Sequence, residues 1–98
     1  MNIQKTVKGT ALTISISGRI DTTTAPALEQ ELKSSLDGCT ELTFDFAEVA
    51  YISSAGLRVL LSAQKTMNKQ GSMKLKNANS SIMDIFEVTG FTEILTIE

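Results

Sequence analysis

Two adjacent hydroxyls, Ser53 and Ser54, stand in the stretch Tyr51-Ile52-Ser53-Ser54-Ala55-Gly56-Leu57. A serine hydroxyl can attack an electrophile, cap a helix or accept a phosphoryl group. Attack needs a base, and the 98 residues contain no His. No lysine is evidently placed to replace it. The same absence removes the Ser-His-Asp triad and every His-ligated metal site. There is no Walker-type phosphate loop, no G-x-G-x-x-G and no CxxC. Cys39 is alone and has no partner for an internal disulfide. Asp45 and Glu48 read as solvated carboxylates rather than a metal pair. The expectation is a chain with no catalytic residue, no metal site and no cofactor.

Capping and phosphate acceptance remain. Both use the N-terminus of a helix, where backbone N–H groups point outward and negative charge is stabilised. Spacing alone favours the cap, since Ser at an N-cap contributes about 1 kcal/mol over Ala. A phosphoserine there would bring about −1.5 to −2 charges without unfolding the domain. Gly56 costs helix stability relative to Ala. It points either to something approaching the backbone closely or to tight packing on a sheet. Asp21, in the loop after an earlier strand, also has two readings. It shapes its own turn by accepting neighbouring N–H groups, or it forms one polar surface with Thr22, Thr23 and Ser54.

The elements that must position these residues follow from periodicity. Ile3–Val7 and the alternating Leu12, Ile14 and Ile16 predict an N-terminal hairpin across Lys8-Gly9-Thr10, ended by Gly18. Gly18 to Thr24 reads as a polar loop. Thr24 as N-cap, Pro26 in the first turn and Leu28, Leu32 and Leu36 predict a helix over 25–36. Leu42, Phe44 and Phe46 alternate in a strand, and Ala47–Tyr51 reads as a connecting loop. Leu57, Leu60, Leu61 and Met67, widened by Ala63, predict a helix over 54–68, with Gln64 among its polar positions. Met73 and Leu75 alternate with lysines in an edge strand. Ile82, Ile85 and Phe86 mark a third helix, closed by Gly90 with Phe91 folded back on it. Ile94, Leu95 and Ile97 form a short strand or extended tail.

The order ββαβαβαβ predicts an α/β domain over residues 1–98, with a mixed, mostly parallel sheet and about three helices largely on one face. Loops after parallel strands gather at one edge, which would bring Asp21 to Ser54. The formal net charge of −2 gives no reason to expect nucleic acid. No apolar run approaches the roughly 20 residues that span a bilayer. The first residues lack signal-peptide character, so a cytoplasmic location without membrane insertion is the default.

These residues resemble the STAS domain in the single-domain form of the bacterial anti-anti-sigma factors. The resemblance covers essentially the whole chain. It includes the Gly18-Arg19-Ile20-Asp21 turn, the strand Leu42–Phe46, the segment Tyr51–Leu61 and the helix Ser81–Phe91 with its Gly-Phe end. Its strongest element is Ile52-Ser53-Ser54-Ala55-Gly56-Leu57. The family pattern there is a hydrophobic residue, Asp, Ser, Ser or Thr, Gly, Leu, with the first hydroxyl after Asp as phosphoacceptor. Aligned on Gly56, that position is Ser54. Ser53 replaces the family Asp, Ala55 replaces the second hydroxyl, and Arg58 stands where many members have a small residue.

The resemblance implies partner switching. The unphosphorylated protein would bind an anti-sigma factor that is also a serine-protein kinase, and so release a sigma factor. Phosphorylation at Ser54 would end binding, and a PP2C-like phosphatase would reverse it. The partner surface implied comprises Asp21, Thr22, Thr23, Ser53, Ser54, Ala55, Gly56 and Arg58. The alternative is a non-switching STAS adaptor in a regulatory or membrane-transport complex.

Overall fold

A computed structural model describes all of residues 1–98. Four strands, β1 (Asn2–Lys8), β2 (Ala11–Ile20), β3 (Glu41–Ile52) and β4 (Ser72–Lys76), form one sheet in the order β1-β2-β3-β4. β1 and β2 are the antiparallel hairpin; β2–β3 and β3–β4 are parallel. Three helices, α1 (Ala25–Ser35), α2 (Ser54–Gln70) and α3 (Ser80–Thr89), supply the crossovers and the C-terminal cover. This is the mixed, mostly parallel α/β architecture expected.

Strand alternation sorts the sheet into two faces. Leu12, Ile14, Leu42, Phe44, Met73 and Leu75 are buried on one, and all three helices add to the same core cluster. Thr13, Ser15, Thr43, Asp45 and Lys74 occupy the other and are half-buried or exposed. The helices therefore cover one face and leave the second polar.

Both long strands run past their expected ends. Gly18 was expected to stop β2, yet the ladder continues through Gly18↔Val49, Arg19↔Tyr51 and Ile20↔Ile52. Gly18 has φ 96°, which lets the chain pass an irregularity without breaking pairing. Ala47–Tyr51 is strand rather than loop. Register jumps from Ser15↔Asp45 to Ser17↔Glu48, and from Gly18↔Val49 to Arg19↔Tyr51, so β3 takes an extra residue twice. Its buried positions move from Leu42, Phe44 and Phe46 to Val49 and then Ile52. Those phase slips erase the period-2 signal and give the segment its loop-like pattern.

Three smaller features concern the core and the C-terminal segment. Gln64 is buried, not exposed, with its Nε2 donating to Asn68 Oδ1 at 2.8 Å and its Oε1 without a partner. Cys39, after the turn that follows α1, is buried, its thiol lying 3.5 Å from the Glu41 carbonyl. Of the strand or extended tail expected at the C-terminus, the tail is realised: after a 3₁₀ turn over Phe91–Glu93 it makes one parallel bridge, Leu75↔Ile97. Gly90 does close α3 in the left-handed region at φ 80°, and Phe91 stacks on Phe86 with ring centroids 6.4 Å apart.

Candidate functional site

The parallel pairing of β2 and β3 places their C-terminal ends side by side. Ser53 N–H donates to the Ile20 carbonyl at 2.8 Å, which ties the entrance of α2 to the end of β2. The junctions that hold Asp21 and Ser54 are thus adjacent.

At the α2 entrance the two serines have separate positions. Ser53 is the N-cap, in extended conformation, and its hydroxyl accepts from Gly56 N–H at 3.5 Å, a long bond. Ser54 is the first helical residue and is exposed. Capping falls to Ser53, which leaves the Ser54 hydroxyl to solvent. Ala55 is half-buried and Arg58 exposed. Gly56 is buried: an added Cβ would stand 2.7 Å from both Ile20 Cγ2 and Ile52 Cγ1. Of the two readings of Gly56, close packing on the sheet is therefore the one realised. It sets how near α2 lies to β2 and β3.

The turn between β2 and α1 is built on Asp21. Its Oδ1 accepts from Thr23 N–H at 3.0 Å, Thr23 Oγ1 at 2.7 Å and Thr24 N–H at 3.1 Å. The Thr24 hydroxyl accepts from Asp21 N–H at 2.8 Å and donates to the Arg19 carbonyl at 2.9 Å. Thr24 is the α1 N-cap by position, but its side chain serves this turn and not the helix. Led by the Thr23 hydroxyl, these donors hold the Asp21 carboxyl below the usual carboxylate range. A carboxylate so stabilised is a weak base, and its Oδ1 is engaged within its own turn. It gives Ser54 no activation toward nucleophilic chemistry.

Thr22, Ala55 and Arg58 line a groove of about 250 Å³ between the starts of α1 and α2, with Pro26, Glu29 and Val59 among the other walls. Thr23 is exposed on the adjoining turn. One contact at this edge escaped sequence reasoning. The Arg19 guanidinium lies 4.4 Å from the centroid of the Tyr51 ring, with Asp21 Oδ2 3.7 Å from its Nε. The register Arg19↔Tyr51 creates the stack. The sequence hides it, because that pairing depends on the two irregularities in β3.

No group of three or more His, Cys, Asp or Glu side chains is arranged to hold a metal ion, and no helix is long and apolar enough to cross a membrane.

The STAS domain profile matches residues 2–98, and the chain belongs to the STAS domain family. Within it, the chain is 33% identical over 100 residues to the anti-sigma-B factor antagonist of Bacillus subtilis, covering 99% of this chain and 92% of that protein. An anti-sigma factor antagonist from Mycobacterium paratuberculosis has the same fold, with a TM-score of 0.89 at 24% identity over 98% of this chain and 83% of its own. So does the Bacillus cell fate determinant SpoIIAA in its phosphorylated form, with a TM-score of 0.77 at 15% identity over 99% of this chain and 91% of its own.

Proposed function

We propose that this chain is an anti-sigma factor antagonist that binds an anti-sigma factor/serine-protein kinase when unphosphorylated and is released when Ser54 is phosphorylated. The observation that carries the reading is the division of labour at the α2 entrance: Ser53 caps, and Ser54 stands exposed beside the Asp21 turn. The similarity to antagonists along nearly the whole chain supports it.

The chemistry suits an acceptor rather than a catalyst. A kinase transfers the γ-phosphoryl group of ATP to Ser54 Oγ; the serine O–H proton is lost and ADP leaves. The kinase supplies base and nucleotide, so this chain needs only an accessible hydroxyl on a firm support. Ser and Asp are comparable N-caps, so Ser53 caps α2 at the position where the family pattern has Asp. The added phosphate carries about −1.5 to −2 charges. A charge forced into a desolvated contact where the partner protein offers no counter-charge costs about 3–5 kcal/mol, on the order of a thousandfold in affinity. A PP2C-like phosphatase completes the cycle.

The test is to incubate the chain with its anti-sigma factor kinase and ATP, then measure intact mass and map the site. One phosphate on Ser54 is expected, with loss of kinase binding. An unmodified Ser54, under conditions where the kinase phosphorylates an established substrate, refutes the switch. Ser53 in place of Asp and Ala55 in place of a hydroxyl favour a second reading, a non-switching adaptor in a regulatory or transport complex. That adaptor would bind its partner equally well as wild type, Ser54→Ala and Ser54→Asp, whereas the switch requires Ser54→Asp to bind more weakly.

A further inference from the structure

Arg58 lies four residues after Ser54 on α2, and both are exposed. Residues at this spacing are neighbours on a helix, with Cβ atoms about 5–6 Å apart. Helical side chains lean toward the N-terminus, so an arginine covers the turn that precedes it. From the groove it lines with Ala55, the Arg58 side chain can thereby reach the first turn of α2, where Ser54 stands. Its guanidinium is uncommitted. The four ion pairs of the chain use Lys5, Arg19, Lys33 and Lys74. Arg19, the only other arginine in the sequence, is held between Asp21 and the Tyr51 ring. Glu29 of α1 shares the groove with Arg58 but faces Lys33 at 3.9 Å, and Asp21 is bonded within its own turn.

We propose that Arg58 is the internal receiver of a phosphate on Ser54. It is free to face a partner while the serine is unmodified, and it folds back onto the phosphate once the serine is modified. The inference rests on Ser54 as the phosphoacceptor. A guanidinium presents paired N–H donors that match phosphate oxygens, which a lysine does not reproduce. Phosphorylation then changes the surface twice: it adds a dianion at Ser54 and withdraws a cation from the rim of the groove.

The test uses the full chain with phosphoserine placed at position 54 during translation by amber-codon suppression. No kinase is involved, so its outcome is separate from that of the kinase assay. With only two arginines, each Nε–H resonance can be followed by NMR. The Arg58 Nε–H is expected to shift on phosphorylation while that of Arg19 stays in place. By ³¹P NMR at low salt, the second pKa of the phosphate is expected about 0.3 pH lower in the wild type than in Arg58→Ala, with Arg58→Lys between them. The difference should shrink at 1 M salt. An Arg58 resonance that does not move, together with coincident ³¹P titrations, overturns the proposal. The wild-type resonance needs no variant, so a folding defect in Arg58→Ala cannot obscure that answer. A positive NMR result beside a failed kinase assay removes the switch and keeps the contact. The reverse outcome keeps the switch and removes the contact.

Discussion

Ser53 and Ser54 are chemically identical, and only their positions at the start of α2 separate them. Ser53 Oγ accepts a helix N–H; Ser54 is exposed one residue later. Ser53→Ala should therefore destabilise the chain by about 0.5–1 kcal/mol in urea unfolding, and Ser54→Ala should stay within about 0.5 kcal/mol of wild type. Equal losses would mean that the cap is shared. Two carboxylates add a pH dependence of known sign. Asn77 Nδ2, the Ala47 N–H and the nearby Lys76 charge hold the Asp45 carboxyl below its usual range, as the Thr23 hydroxyl and its companions do for Asp21. In each case the unfolded chain binds the proton more readily. The stabilisation is thus complete above the unfolded value of about 3.9 and is lost as pH falls through the lower folded value. Urea midpoints should fall below about pH 4, and the Asp21→Asn, Asp45→Asn double variant should show a flatter acid limb.

Two glycines set distances between elements. Gly56 lets α2 approach Ile20 and Ile52, both β-branched side chains with little room to turn. Gly56→Ala gains helix propensity but inserts a methyl at 2.7 Å from both. A net loss of about 1–2 kcal/mol is expected from urea unfolding. Gly71 caps the C-terminal end of α2, and packing requires glycine there. Its φ of 170° is ordinary extended backbone, while an added Cβ would collide with the Thr40 carbonyl. Gly71→Ala should therefore cost more than Gly56→Ala, because backbone yields less than the tips of side chains. The helices themselves were legible, since leucines at steps of three and four survive as buried faces in α1 and α2. Gln64 was not, because burial of a polar side chain depends on what packs above it.

The sheet has two outer strands. β4 is partly covered: Leu75 N–H donates to the Thr96 carbonyl and Glu98 N–H donates to the Leu75 carbonyl, both at 2.9 Å. Leu95 is buried in the core beside this edge. A chain ending at Glu93 loses the Leu95 side chain, worth about 1.5–3 kcal/mol on burial. It also bares the β4 edge to pairing with other chains. Lower stability in urea and increased concentration-dependent association by sedimentation are the expected results; stability and sedimentation equal to those of the full chain would show that the last five residues contribute little.

Much of the fold and part of the candidate site could be read from residue types and order alone. Period-2 and period-3.6 patterns located the four strands and three helices, and also an expected fifth strand at the C-terminus where only one bridge forms. Their alternation implied parallel pairing, and parallel pairing implied that Asp21 and Ser54 share an edge. Those inferences hold because they depend on local periodicity and chain connectivity. The division of roles between Ser53 and Ser54, the use of Gly56 for packing and the Arg19–Tyr51 stack required the folded molecule. Each depends on the register of β2 against β3, which slips twice, and such slips leave no periodic trace in the sequence.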